Sequence, residues 1–323
     1  MIYYSNMDYK KTKKVSVLIP CYNEEETLPI LYKELAMVMD NHKSYLWEVL
    51  FIDDGSNDNT IHIINNMRRY DSRINYISLS RNFGKENAML AGFDYVQGDC
   101  VIIIDADLQD PPRLFPKMLE YWEMGYQDVY AKRKNRGKES CFRKCLSMMF
   151  YKILDSSSRI EMLQNVGDFR LLDRQCIEAL KRMRESERYN KGIFCWIGYK
   201  KKEVTFDREN RIEGKSHWSF WSLFNLATEG ITSFSIAPLR LSAILGGIIA
   251  FVAFLLMVFY GLKTIIFGDE VRGFTTLIVV ILFMGGVQLL TIGILGEYIG
   301  RIYNESKHRP PYLISEYNGK KVF

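Results

Sequence analysis

The sequence has few of the side chains that usually hold zinc or build disulfide frameworks. Its 323 residues include four histidines and six cysteines. The histidines are scattered, and Cys141 and Cys145 form one Cys-x-x-x-Cys pair without a second pair at metal-binding spacing. A structural zinc site needs four suitably spaced ligands. We therefore interpret the cysteines as reduced thiols of a cytosolic domain.

Two nucleotide-binding motifs are also absent. The sequence contains no Gly-x-Gly-x-x-Gly, so a dinucleotide-dependent oxidoreductase is unsupported. Gly214-Lys215-Ser216 matches the end of a P-loop, but Glu209 stands where that motif requires its first glycine. A P-loop is therefore excluded.

The N-terminus lacks an apolar core, and the chain lacks a strong charge of either sign. Residues 1–14 are polar and basic, so they do not form a signal peptide and we expect the soluble part to remain in the cytoplasm. The net charge of +5 does not argue for nucleic acid. It is compatible with phosphate-bearing substrates or an anionic membrane surface.

Long apolar runs are missing from most of the chain, but two lie near the C-terminus. Residues 241–262 and residues 274–296 contain no charged side chain. At 1.5 Å per residue, each helix would cross a hydrocarbon core of roughly 30 Å. The alternative is a buried helix of a soluble protein, which is seldom apolar all round for this length. Two spans predict a hairpin, and the flanking basic residues favour cytoplasmic termini.

The first part of the sequence alternates predicted strands and helices. We expect strands at 15–20, 47–52, 74–79 and 101–104, and helices at 28–39, 61–70 and 85–96. This order predicts an α/β domain with a mainly parallel sheet, in which ligands bind at the carboxyl ends of the strands.

Acidic residues follow three of these strands. Asp105-Ala106-Asp107 comes directly after the fourth strand, where alternate positions place both carboxylates on one side. Such hard oxygen ligands suit Mg²⁺ or Mn²⁺, with substrate phosphates completing the shell. The alternative for this pair alone is a turn with solvated acids.

The other strand ends are weaker signals individually. Asp53-Asp54-Gly55 could bind a base or a ribose, and its alternative is a simple turn. Pro20-Cys21-Tyr22-Asn23-Glu24 could pack on a base, and its alternative is the cap of a helix. Residues 80–85 offer backbone and cationic donors before a helix. The basic run 132–144 could bind phosphate, and its alternative is a solvated surface. The three acidic ends together indicate a binding site, because packing does not require charge there.

The ordered set of motifs resembles the inverting glycosyltransferase family 2, and more closely its polyprenyl-phosphate glycosyltransferases, over residues 15–312. The matching segments are residues 20–24, 53–56, 80–85, 105–112, 166–171, 211–216, 230–235, 296–301 and 309–312. The two C-terminal runs are similar to the bactoprenol glucosyltransferase branch. The Gln-x-x-Arg-Trp motif of processive synthases is absent, which favours transfer of one sugar.

The resemblance implies a GT-A catalytic domain and a set of site residues. The nucleotide would be bound by Pro20, Tyr22, Asn23, Glu24, Asp53, Asp54, Lys85, Asp105 and Ala106. The metal, Mg²⁺ or Mn²⁺, would be held by Asp105, Asp107 and Gln109. Catalysis would depend on Asp107, Arg133, Asp168 and Arg211, and the acceptor phosphate would meet Arg133, Arg170, Arg211, Lys215 and His217. His217 stands where the family often has lysine, and Asn165 replaces the first acid of Asp-Val-Gly-Asp.

These interpretations predict five segments in the chain. They are a polar tail over 1–14, the GT-A domain over 15–215, an amphipathic interfacial segment over 216–238, two transmembrane helices within 239–298, and a cytoplasmic tail over 299–323. The interfacial segment is rich in aromatic side chains, which favour the membrane interface.

The predicted function is inverting transfer of one sugar to polyprenyl phosphate at the cytoplasmic face of the plasma membrane. UDP-glucose is the favoured donor, and the product would serve cell-envelope glycosylation. Relatives imply a homo-oligomer, with a tetramer as one form. The alternatives are transfer to another lipid such as diacylglycerol, and a non-catalytic membrane subunit that binds sugar nucleotide.

Overall fold

The computed structural model describes residues 12–133, 163, 166–185, 188–206 and 273–322, together with scattered positions between 239 and 266. These residues divide into two compact units. The first contains a nine-stranded sheet with its helices and includes Pro310–Phe323. The second contains the C-terminal helix.

The first unit begins with alternating strands and helices, as predicted. The strands are β1 (Lys14–Cys21), β2 (Leu46–Asp53), β3 (Ile74–Leu79), β4 (Cys100–Ile103) and β5 (Asp128–Arg133). The helices between them are α1 (Leu28–Asn41), α2 (Thr60–Tyr70), α3 (Lys85–Tyr95) and α4 (Phe115–Glu123), the last preceded by a 3₁₀ turn at Pro112–Leu114. The positions of β1 to β4 and of α1 to α3 agree with the predicted ranges to within one or two residues.

The remaining described elements are β6 (Val166–Asp173), α5 (Arg174–Arg182), α6 (Asn190–Trp196), β7 (Lys201–Phe206), α7 (Phe274–Ser306), β8 (Ile314–Tyr317) and β9 (Lys320–Lys321). The sheet order is β7-β5-β6-β4-β1-β2-β3-β8-β9. The central strands β4, β1, β2 and β3 are parallel, whereas β6 and β8 join them antiparallel. The predicted α/β fold is confirmed, with antiparallel pairings on both flanks of the parallel centre.

Burial explains why the central strands carry continuous apolar runs. Residues 15–21 of β1 and residues 47–53 of β2 are all buried, as expected for strands covered on both faces. Helix α1 places Leu28, Leu31 and Leu35 on its buried face, which is the three- and four-residue spacing of an amphipathic helix. The sheet is therefore a rigid support for whatever lies at the ends of its strands.

The second unit contains one long apolar helix. Helix α7 covers the predicted second span and continues ten residues beyond its predicted end at residue 296. Within the described part of the chain, Phe283–Ser306 is the one stretch long and apolar enough to cross a membrane, and none of its tested window is buried. The described positions between 239 and 266 are helical. The aromatic segment 216–238 lies outside the described residues.

The C-terminal tail differs from the prediction. Residues 299–306 continue α7, and β8 with β9 forms a hairpin that extends the sheet beyond β3. The hairpin turn is Asn318-Gly319, and both residues have positive φ angles, 50° and 82°. Asn-Gly is the preferred pair for such a turn. The first unit therefore includes residues well beyond the end at 215 that was predicted for the α/β domain.

Candidate active site

A cleft of about 280 Å³ lies at the carboxyl ends of β1, β2 and β4. The parallel order of these strands brings their ends to one edge of the sheet. The predicted residues that line the cleft are Pro20, Tyr22, Glu24, Asp54, Lys85, Asp105, Ala106 and Asp107, and they are joined by Cys21, Asn82, Gly84 and Ala88. Segments far apart in sequence thus form one polar pocket, as the strand-end pattern predicts.

Asp54 organises one wall of this cleft. Its Oδ1 accepts a hydrogen bond from the Phe83 amide at 2.7 Å, and its Oδ2 accepts one from the Gly84 amide at 2.9 Å. Burial raises the pKa of Asp54, and these two amide donors oppose the rise. Asp54 therefore fixes the loop that precedes α3.

Asp53 and Asn23 bond within the protein. Asp53 is buried, its Oδ1 accepts from the Ser56 amide at 3.1 Å, and its Oδ2 accepts from the Ser78 hydroxyl at 2.9 Å. Asn23 has a φ of 56°, and its Oδ1 accepts from the Asn57 amide at 2.8 Å. Neither side chain is among the lining residues of the cleft. Both instead shape the loops that form its rim.

Gly55 permits close contact between two of these loops. A Cβ atom at this position would lie 2.6 Å from the carbonyl carbon of Arg81, and the φ of Gly55 is +71°. A side chain here would be both strained and obstructed. The glycine therefore allows the loop after β2 to approach the loop after β3.

A lysine and two aspartates form the centre of the cleft. The Lys85 ammonium is 2.7 Å from Asp105 Oδ1 and 2.6 Å from Asp168 Oδ2. The antiparallel register of β4 and β6 pairs Ile103 with Arg170, and two further residues along the strands place Asp168 opposite Asp105. The predicted catalytic acid thus lies beside the predicted metal ligand.

The opposite charges of Lys85 and Asp168 stabilise each other's ionised forms. Desolvation acts to lower the pKa of Lys85, but the carboxylates of Asp105 and Asp168 raise it above its ordinary value. Burial acts to raise the pKa of Asp168, yet Lys85 and Lys191 hold it below the usual range. Lys85 is therefore a stable cation, and Asp168 a stable anion, at neutral pH.

Asp110 and Arg133 form a second pair near the first. Asp110 is buried, and its Oδ1 lies 3.6 Å from a terminal guanidinium nitrogen of Arg133. Burial raises the pKa of Asp110 to about 7, and the Asp105 carboxylate adds to the rise. Asp110 is not among the predicted site residues, although it follows Gln109 within the motif over residues 105–112. Gln109 is also buried, and its backbone amide donates to Asp107 Oδ1 at 3.2 Å.

The donor set fits a divalent cation in part. Among the residues that the structure describes, none donates a hydrogen bond to the buried Oδ1 atoms of Asp110 and Asp168, which is costly unless a cation or donor satisfies them. Within the described residues, however, no three His, Cys, Asp or Glu side chains converge closely enough to hold a metal ion. Asp105 and Asp107 would therefore supply part of a Mg²⁺ or Mn²⁺ shell, and phosphate oxygens the rest.

The position of Arg170 corrects one prediction. Its side chain is 2 % exposed and its guanidinium lies 3.2 Å from Asp128 Oδ2, which is 0 % exposed. The same group lies 4.0 Å from the Phe194 ring centroid and donates to the Gly167 carbonyl. A guanidinium enclosed in this way does not reach an acceptor phosphate, so Arg170 supports the fold. Arg211, Lys215 and His217 lie outside the described residues.

Comparisons with known proteins agree with these motifs. The glycosyl transferase family 2 model matches residues 16–181. The chain is 45 % identical to a prophage bactoprenol glucosyl transferase homolog of Escherichia coli strain K12, covering 93 % of this chain and 98 % of that protein. It is 44 % identical to the bactoprenol glucosyl transferase of Shigella phage SfV, with the same coverage. It is also 44 % identical to a glycosyltransferase of Synechocystis, covering 94 % and 96 %.

Solved structures are more distant. Mannosyl-3-phosphoglycerate synthase from Rubrobacter xylanophilus is 19 % identical with a TM-score of 0.45, covering 67 % of this chain and 71 % of that one. At TM-scores below 0.5 such likenesses carry no functional argument. The family model covers more than half of the chain and the relatives nearly all of it. The chain therefore belongs to glycosyl transferase family 2, and it is a glycosyltransferase with the GT-A α/β fold.

Proposed function

We propose that the protein transfers one sugar from a nucleotide-sugar to a polyprenyl phosphate at the cytoplasmic face of the plasma membrane. The observation that carries this proposal is the similarity to bactoprenol glucosyl transferases over 93 % of the chain. The cleft supports it, because carboxylates and a lysine converge where a sugar diphosphate would bind. UDP-glucose is the favoured donor, and the product would be a lipid-phosphate-sugar for cell-envelope glycosylation.

The nucleoside would occupy the part of the cleft formed by β1 and β2. Tyr22 is 42 % exposed at the cleft rim, where its ring is available to pack on a base. Asp54 and Glu24 line the same wall. The buried hydrogen bonds of Asp53 and Asn23 would hold the surrounding loops in place. We assign recognition of the nucleoside to the lining residues and support to the buried ones.

The diphosphate and the reacting sugar would lie near Asp105. Asp105, Asp107 and Gln109 would hold a Mg²⁺ or Mn²⁺ ion, which when bound stabilises the negative charge of the leaving diphosphate. The Lys85 ammonium and the Arg133 guanidinium would add donors to the same phosphate oxygens. Both are already oriented by acids of the site.

The reaction would be a single displacement. An oxygen of the lipid phosphate forms a bond to the anomeric carbon while the bond from that carbon to the diphosphate oxygen breaks. One displacement inverts the configuration, so an α-linked donor gives a β-linked product. A phosphate monoester is largely dianionic at neutral pH, with a second pKa of roughly 6, so a strong base is unnecessary. Asp168 would orient the acceptor, with Arg211, Lys215 and His217 as further phosphate contacts.

The pairing of the C-terminal strand with the sheet supports the proposal of two membrane-spanning helices. Strands β3 and β8 pair directly, so residues 74–79 and residues 314–317 lie on the same side of any bilayer. The chain between them must therefore cross an even number of times. If α7 crosses once, a second crossing is required, and the charge-free run 241–262 is the candidate. A hairpin would keep the catalytic domain at the interface, where a polyprenyl phosphate must present its head group.

A donor panel tests the proposal. Purified protein is incubated with undecaprenyl phosphate, Mn²⁺ or Mg²⁺, and radiolabelled UDP-glucose, UDP-GlcNAc, UDP-galactose or GDP-mannose. We expect label in a lipid that mild acid releases, with UDP-glucose the best donor. An acid-stable product formed when diacylglycerol replaces undecaprenyl phosphate would instead identify another lipid acceptor. Binding of a sugar nucleotide without transfer to any lipid would indicate a non-catalytic subunit. Light scattering of the same preparation tests the proposed homo-oligomer.

A further inference from the structure

The C-terminal hairpin, β8 with β9, is bound to the catalytic domain through many polar contacts that the proposed reaction does not use. Its backbone pairs with β3, matching Ile77 to Tyr317 and Ser78 to Glu316. The Ser80 amide donates to the Leu313 carbonyl at 2.8 Å, just beyond the strand. The Asn318 backbone amide also donates to the Tyr76 carbonyl. The hairpin therefore covers β3 from Tyr76 to its end, which would otherwise be a sheet edge with unpaired groups.

Side chains add to this attachment at the turn of the hairpin. Asn318 Oδ1 accepts from the Tyr76 amide at 2.8 Å, and Asn318 Nδ2 donates to Asn75 Oδ1 at 2.8 Å. The Ser315 hydroxyl donates to the Ser78 carbonyl at 3.0 Å. These bonds join the hairpin specifically to β3.

Strand β3 in turn supports the donor cleft. The Ser78 hydroxyl donates to Asp53 at the end of β2. The strand continues directly into residues 80–84, whose amides at Phe83 and Gly84 bind Asp54. The next residue, Lys85, begins α3 and carries the ammonium at the centre of the site. The position of β3 therefore influences that of two residues that line the cleft, Asp54 and Lys85.

We propose that the C-terminal hairpin is a positioning element of the donor site, which holds β3 and residues 80–84 so that Asp54 and Lys85 face the nucleotide-sugar. This inference rests on the proposed function, because it assigns the donor to that cleft. If the hairpin has this role, the donor site depends on a segment that follows α7 in the chain. Three residues, 307–309, connect the end of α7 to this C-terminal part of the first unit.

Substitutions in the full-length protein test the proposal. Asn318→Gly keeps the positive φ of the turn and removes both side-chain bonds to β3. Tyr312→Phe is the matched control, because the Tyr312 hydroxyl donates to Asp94 near the far end of α3 and not to β3. The measurements are UDP affinity by calorimetry at fixed Mn²⁺, the KM values of donor and lipid acceptor, kcat, and the thermal unfolding midpoint.

We expect Asn318→Gly, alone or combined with Ser315→Ala, to weaken UDP binding and raise the donor KM about three- to tenfold, as the loss of one or two hydrogen bonds permits. The kcat and the acceptor KM should change less than twofold, and Tyr312→Phe should leave the donor KM unchanged. A lower unfolding midpoint with unchanged UDP affinity would overturn the proposal and leave the hairpin a purely structural element. Wild-type protein that binds UDP but transfers no sugar would contradict the proposed function instead.

Discussion

Replacement of Arg170 by methionine distinguishes a structural arginine from a phosphate ligand. The Arg170 side chain is 2 % exposed and its partner Asp128 is 0 % exposed. Arg170→Met would leave the Asp128 carboxylate buried without its cation. Loss of one partner of a buried ion pair costs about 3–5 kcal/mol. For a domain of this size, that loss lowers the unfolding midpoint by about 10 °C.

The assay combines thermal unfolding with acceptor kinetics. Burial raises the pKa of Asp128, although Arg170 opposes the rise, so the unpaired carboxyl is protonated more readily at low pH. We therefore expect the destabilisation by Arg170→Met to be larger at pH 8 than at pH 5. The control is Arg170→Met combined with Asp128→Leu, which removes both charges and should recover most of the stability. An unchanged midpoint together with a raised KM for polyprenyl phosphate would refute the structural role and restore the phosphate contact.

Two further predictions concern Lys85 and the residue that follows it, Glu86. Lys85→Gln should raise the donor KM about tenfold or more, because its charge-assisted hydrogen bonds to the donor phosphates would be lost. Lys85→Arg keeps the charge and should retain part of the affinity. Equal donor KM values for wild type and Lys85→Gln would contradict a phosphate-binding role for Lys85. Burial, with the Asp168 carboxylate adding to it, raises the pKa of Glu86 to about 7. The folded state thus keeps a proton that the unfolded state has lost, so the free energy of unfolding should fall by roughly 1 kcal/mol from pH 6 to pH 8. Glu86→Gln should reduce that loss, because glutamine does not titrate but can still accept a hydrogen bond from the Asn190 backbone amide. An identical pH dependence of the unfolding midpoint in both proteins would rule out Glu86 as the source of the effect.

The central part of the fold was predictable because its signals are local. Apolar runs of four to eight residues define β1 to β4, and polar residues follow each of them. Because these strands are parallel neighbours, the polar residues at their ends had to meet at one edge. The cleft with Asp54, Lys85, Asp105 and Asp107 follows from that rule.

The sequence was less informative where long-range pairing decides the outcome. Arg170 is part of a matched motif, but its place on β6, next to Asp128 on β5, determines that it is buried. Nothing local in the sequence distinguishes it from an exposed arginine. Asp53 likewise looked like a ligand because it ends a strand, yet Ser78 from the neighbouring strand binds its carboxylate.

The C-terminal hairpin could have been found from the sequence. Asn318-Gly319 is the two-residue pair that hairpin turns prefer, and it is by itself a strong local hairpin signal. The partner strand β3 is more than 230 residues away in sequence, so only the structure identifies where the hairpin pairs.

The most direct test of the account is whether UDP binding depends on a divalent cation held by the acids that follow β4. Calorimetry of purified full-length protein compares UDP affinity with Mn²⁺ and with EDTA, in wild type and in Asp107→Asn. The exposed Asp40, which is remote from the cleft and pairs with Arg73, supplies the control variant Asp40→Asn. We expect Mn²⁺-dependent binding in wild type and in Asp40→Asn, and its loss in Asp107→Asn. Equal UDP affinity with and without Mn²⁺, unaffected by Asp107→Asn, would contradict the account.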